Sequence, residues 1–263
     1  MKEDAKFPDV GRRRKNGGAR EEVKDDAGEG KEEAEEGNDA GKQTINITFE
    51  EKTEEYTAKD KTLLLTIKET IPTVDIAGNK EASQAINEYI RSFNLHGMSV
   101  EDAKKWAEED YITRGKDNWY GYGMETVFSL NRADETVISF LVSASSYMGG
   151  AHPNTLEAAL NFDPKTGKRL TLADVTTDEK TAVKEIVNAI LQQTKQEKYS
   201  GMFFEGYESS VGDLLTEDTW YLGKDGFHII GNEYIISPHA AGILNFMIPY
   251  AEAGFLKEKY RVS

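Results

Sequence analysis

Residues 145–167 read SSYMGGAHPNTLEAALNFDPKTG. In one continuous stretch the chain finishes a strand, turns through a loop, runs a second strand and turns again. Gly149 and Gly150 permit positive φ, and Pro153 restrains His152 to an extended backbone. Residues 156–162 form a short apolar-rich run bounded by turn signals, which predicts a strand. Residues 163–167 close it, with Pro164 at the second turn position and Gly167 at the end. The loop between the two strands suits a ligand cradle, a metal or catalytic site, or a tight corner that organises the fold.

Upstream, residues 124–130 and 137–146 carry strand patterns, with the turn expected in 131–135. Earlier still, Ile45, Ile47 and Phe49 alternate with polar residues, and Leu63, Leu65 and Ile67 repeat that period; Ile71-Pro72 is expected to close the second strand. Between these runs the period changes. Ala82, Ala85, Ile86, Tyr89, Ile90 and Phe93 make a helical stripe. A second helix opens at Ser99, an N-cap with Asp102 three residues on, and carries Val100, Ala103, Trp106 and Ala107. Downstream, Thr177 or Asp178 caps an amphipathic helix bearing Val183, Ile186, Val187, Ile190 and Leu191. Strands are expected at 220–222, 227–230, 234–237 and 244–248, with a turn at Gly231-Asn232. Strand blocks interrupted by separate helices predict an α+β fold of two small domains. Each has antiparallel sheets packed by one or two helices, over 43–155 and 156–263.

Residues 1–42 hold only Phe7, Val10 and Val23 as large apolar residues after Met1. Such a segment cannot bury enough surface to offset its ordering entropy and reads as a disordered charged tail or tether. The net charge of −15 argues against a nucleic-acid partner and suits a generally acidic, solvated surface or attraction to a basic partner. Cysteine is absent, so disulfides, thiolate metal sites and cysteine nucleophiles are excluded. No apolar run reaches bilayer length, and the N-terminus has no signal-peptide h-region.

Two places combine a histidine with small turn residues: Gly149-Gly150-Ala151-His152-Pro153-Asn154 and Ser237-Pro238-His239-Ala240-Ala241-Gly242. Each follows a predicted strand, where functional loops sit. The four histidines, His96, His152, His228 and His239, show no metal-binding spacing, and no nucleophile elbow or SxxK motif is present. His152 is expected to be a hydrogen-bonded corner fixture. No catalytic residue, metal or cofactor is assigned. Candidate ligand contacts are Tyr147, Gly149, Gly150, His152, Asn154 and His239, with Trp220 from the aromatic pair Trp220-Tyr221.

The block 147–155, followed by Asn161-Phe162-Asp163, Lys165-Thr166-Gly167 and Leu170-Thr171-Leu172, resembles the RsiV-like extracytoplasmic domain pair of Gram-positive bacteria. That pair forms the ectodomain of lysozyme-sensing anti-sigma factors and is similar to the deacetylase-associated region of certain peptidoglycan deacetylases. The run from Phe227 through Tyr234-Ile235-Ile236-Ser237-Pro238-His239-Ala240-Ala241-Gly242 to Ile248-Pro249-Tyr250 resembles the second domain, and the helix from Asn79 to Ile90 the first. After Pro238 the family carries an aromatic where this chain has His239. The span, the sigma-binding segment and the catalytic deacetylase domain are missing from this sequence. The resemblance implies a non-enzymatic binding or sensing module at the cell surface, tethered to the membrane in a precursor. Its expected ligand is a lysozyme-like protein or a cell-wall glycan. The rival reading is a cell-wall hydrolase or deacetylase accessory protein with a histidine–carboxylate site.

Overall fold

The structure is a computed structural model and describes residues 44–262; the tail expected at 1–42 lies outside the described residues. The fold is α+β, with a five-stranded sheet in the order β1-β2-β3-β4-β5 and a three-stranded sheet in the order β6-β7-β8. In the first sheet β1 is Ile45–Thr57, β2 Leu63–Ile76, β3 Tyr122–Ala133, β4 Ile138–Tyr147 and β5 Asn154–Phe162. Helices α1 (Lys80–Ser92) and α2 (Val100–Arg114) lie between β2 and β3 in the chain. Because that connection crosses over, β2 and β3 pair parallel, while every other pair is antiparallel.

Strand β2 runs past Pro72 to Ile76, which corrects the expected end at Ile71-Pro72. The reason is local. Pairing with β3 stops at Thr70–Val127, so the β2 edge beyond it has no strand neighbour on that side. Asn87 of α1 takes the vacant place: its Oδ1 accepts from Val74 N and its Nδ2 donates to Val74 O, both at 2.8 Å. Pro72, two residues away, faces the same edge, so its missing N–H costs no ladder bond. Asn79 caps α1 by accepting from Ala82 N, and Ser99 caps α2 by accepting from Asp102 N. Under α1 sits a core of Val74, Ile86, Ile90, Phe128, Phe140 and Phe162, and under α2 a second one of Leu65, Ile67, Ala103, Ala107 and Met124.

The β3–β4 turn is tighter than expected. Strand β3 continues to Ala133, and Asp134 Oδ1 accepts from Thr136 N and Val137 N to make the turn. The domain division expected after residue 155 falls inside β5, which pairs with β4 along its whole length to Phe162.

The second half begins with a short helix α3 (Leu172–Val175) and then α4 (Glu179–Gln193), capped by Asp178. Ala182, Ile186 and Ile190 of α4 pack on one face of β6 (Trp220–Leu222), β7 (Gly226–Gly231) and β8 (Leu244–Pro249). No strand forms at 234–237. Tyr234 adopts a left-handed φ of 66° and its N–H donates to Ser237 O at 2.8 Å, so the segment turns instead of extending. Two asparagines join the sheets as backbone surrogates. Asn161 of β5 donates to Trp220 O and accepts from Leu222 N on β6. Asn232, following β7, accepts from Glu157 N and donates to Glu157 O on β5.

Candidate functional site

The loop from β4 to β5 and the loop from β7 to β8 meet through their histidines. The His152 and His239 rings stack with centroids 3.9 Å apart and planes 14° from parallel. His239 Nδ1 lies 2.5 Å from Glu233 Oε2, and the Glu233 side chain is only 7% exposed. His152 Nδ1 lies 2.8 Å from the Pro153 carbonyl oxygen. A carbonyl and a carboxylate both accept, so Nδ1 is the donor in each bond, and neither Nε2 has a hydrogen-bond partner among the described residues.

Tyr234 extends the stack, its ring 6.3 Å from that of His239 and 11° from parallel. It is 59% exposed and holds a left-handed backbone, a conformation that costs a side-chain-bearing residue roughly 1–2 kcal/mol. On the other flank Gly149 has φ 81°, and a Cβ there would stand 3.2 Å from Arg114 Nη2 and 3.4 Å from Tyr122 Cε1. Arg114 Nε donates to Asp110 Oδ2 at 2.7 Å, and the Tyr122 hydroxyl donates to the same oxygen at 2.9 Å. Burial and this hydrogen bond push the Tyr122 phenol up to about 12. Tyr120, just before β3, is 82% exposed.

The structure therefore brings His152 and His239 into contact. Tyr147 and Asn154 stand at the strand ends that bound the first loop, with Gly149 and Gly150 inside it. Trp220 does not join them. It is fully buried and stacks on Phe227 at 5.4 Å in the core of the second half, because β6 turns it inward against α4. As a surface contact it is corrected. His228 is held between Asp225 and Asn245 and stacks on Tyr221, and His96 bonds Thr126. Among the described residues no group of three or more acidic or histidine side chains is placed to hold a metal ion. Sequence reasoning missed Glu233, Tyr234 and Arg114. For Glu233 a signal existed, a carboxylate six residues before a histidine across a turn, but acidic residues are too frequent here for that spacing to stand out.

Two family models match the chain. Residues 58–155 match the deacetylase PdaC family, and residues 173–251 match a family described as a protein of unknown function, DUF3298. The chain resembles a PdaC-like and DUF3298-like domain pair. Among solved structures, a DUF3298 family member from Bacteroides fragilis superposes with a TM-score of 0.58 at 18% identity, covering 82% of this chain and 95% of that one. A DUF3298 family protein from Pseudomonas aeruginosa gives 0.54 at 15% identity, covering 83% and 98%. At these identities the likeness is one of fold. No curated protein matches. In the PdaC/DUF3298-like pair the stacked histidines belong one to each side: His152 lies in the PdaC match and His239 in the DUF3298 match. No helix of the described residues is long and apolar enough to cross a membrane.

Proposed function

We propose that this chain is a non-enzymatic, cell-wall-related binding or sensing module that works outside the cytoplasm, on a cell surface of the Gram-positive type. Its leading ligand is a basic, lysozyme-like protein, as the RsiV-like resemblance implies. The observation that carries the reading is the stacked pair His152–His239 with its exposed aromatic flank. The stacked imidazoles beside the exposed Tyr234 suit a donor-rich partner, and the net charge of −15 attracts a basic one. The contact set is Tyr147, Gly149, Gly150, His152, Asn154, His239 and Tyr234. Hydroxyl-rich cell-wall glycan is the alternative ligand for the same face, since aromatic rings and acceptors also suit sugars.

A second reading rests on Glu233. A largely buried carboxylate oriented on His239 Nδ1 is the arrangement of a general base, with Nε2 left to act. That favours a hydrolase or deacetylase accessory role.

Calorimetric titration with a basic lysozyme at physiological salt tests the first reading, with cytochrome c as a control of similar size and charge. Nonspecific attraction is screened beyond about 8 Å under these conditions. The expected result is a saturable one-to-one complex with lysozyme alone, weakened by Tyr234→Ala. Equal weak binding to both proteins overturns it and leaves the glycan. Release of acetate or reducing ends from peptidoglycan, abolished by Glu233→Gln, establishes the second reading.

A further inference from the structure

On the face of the first sheet that α1 and α2 cover, the paired stretch of β2 and β3 is apolar except at one row. Ile67 and Ile71 on β2, and Met124 and Phe128 on β3, are interrupted by Glu69 and Thr126, which are register partners across the two strands. This row falls between the core under α1 and the core under α2, and a cleft of about 310 Å³ opens over it. That volume is at the lower end of the range for small-ligand sites. Ile67, Ile90, Met98 and Met124 are among its walls.

The polar groups in the cleft are arranged unequally. His96, on the link between α1 and α2, places Nε2 2.9 Å from Thr126 Oγ1, and burial lowers its affinity for a proton. The link is braced by Asn94, which accepts from His96 N and donates to Met98 O. Glu69 and Arg91 both line the opening, and neither forms an ion pair or side-chain hydrogen bond among the described residues. Lys52, opposite Glu69 on β1, is engaged by Glu54. The cleft thus holds a half-buried carboxylate between apolar walls and a guanidinium at its exposed rim, and a carboxylate so placed calls for a partner.

We propose that this cleft binds a small apolar α-amino acid as its zwitterion, with the ammonium at Glu69, the carboxylate at Arg91 and the side chain between the methionines. Methionine walls adapt to apolar groups of varied shape, and a ligand bearing both charges satisfies both side chains at once. A ligand without the ammonium leaves the half-buried Glu69 unpaired, and one without the carboxylate forgoes the Arg91 contact at the rim. The site is distinct from the histidine face and does not depend on its function.

The test is an NMR titration of the full chain with L-leucine, leucinamide and N-acetyl-leucine, read at the His96 ring and the Met98 and Met124 methyl groups. Leucine is expected to shift these signals saturably, and each blocked analogue to bind at least about tenfold more weakly. Glu69→Gln is expected to weaken leucine by a similar factor and leave N-acetyl-leucine unchanged; Arg91→Gln does the same with leucinamide as the unaffected ligand. Thermal melts confirm that the variants fold, and the analogue series on the unaltered chain stands if one does not. Leucine that moves none of these signals up to its solubility limit overturns the proposal. An analogue that binds as tightly as leucine does so equally.

Discussion

The rings of His152 and His239 lie face to face, 3.9 Å apart, and only His239 has a carboxylate partner. The two histidines should therefore respond differently to truncation. His239→Ala strands the Glu233 carboxylate, 7% exposed, without its partner, and an unsatisfied buried acceptor costs about 1–3 kcal/mol. His152→Ala removes only a loop contact and is expected to cost less than about 1 kcal/mol. Urea midpoints of the two variants check this. Equal losses would mean that the stack, rather than the Glu233 pairing, holds the loops.

Arg132 is expected to be the most sensitive polar residue of the chain. It is 4% exposed, and its Nη1 donates to the Tyr250 hydroxyl at 2.8 Å and to Tyr260 O at 2.7 Å. Nε meets Asp134, and the Tyr250 hydroxyl donates onward to Gly223 O. Burial works against the Asp134 carboxylate, but Thr136 and Arg132 outweigh it and hold its pKa below the ordinary range. Arg132→Ala takes the cation from Asp134, which keeps Thr136 and Val137, and leaves the Tyr260 carbonyl unmet, a loss of about 1–3 kcal/mol for each buried group stranded. Arg132→Lys should recover little of it, since an ammonium cannot replace the guanidinium fork. Denaturant unfolding of both variants measures the difference.

Much of this architecture was legible in local pattern. The α1 stripe, the Ser99 and Asp178 caps and the 163–167 turn are set by neighbours in sequence, and the first histidine loop follows from the end of β4. What the pattern hid is long-range. Arg132 reads as one more polar turn residue in NRADE, and only the approach of Tyr250 and Tyr260 makes it a buried hub. Asn161, Asn87 and Asn232 look like ordinary strand, helix and turn residues, yet each completes a backbone edge elsewhere. The left-handed φ of Tyr234 turned an expected strand into a loop, and no propensity of tyrosine announces it.

Buried His96 gives a pH signature of known sign. Burial lowers its pKa in the folded chain, while the unfolded residue protonates near pH 6.5. As pH falls from about 6.5 towards the folded value, the unfolded state binds more protons, so stability declines; below the folded value the decline stops. His96→Gln, which can still meet the Thr126 hydroxyl, should remove this component. Urea midpoints of both proteins between about pH 5 and 7 supply the comparison, a window above the titration of ordinary carboxylates. A constant difference across that window would contradict the burial argument.

Gly149 and Gly150 are adjacent and alike in sequence, but the structure separates them. Gly149 sits at φ 81°, where a Cβ would also press to 3.2 Å from Arg114 Nη2. The guanidinium end of Arg114 can shift, so the backbone dominates, and Gly149→Ala is expected to cost about 1–2 kcal/mol. Gly150 has no left-handed φ, and its nearest neighbour, His152 O, would be 3.8 Å from an added Cβ, an ordinary contact. Strain at Gly150, plausible from the paired glycines, is therefore not expected. Gly150→Ala should be neutral or slightly stabilising, by up to about 1 kcal/mol, because it restricts the unfolded chain. Thermal melts rank the pair. Binding adds a second readout: Gly149→Ala re-aims the loop that carries His152 and should weaken ligand binding at the histidine face. Gly150→Ala should leave the loop path intact, and a reversed order in both measurements would place the corner one residue later.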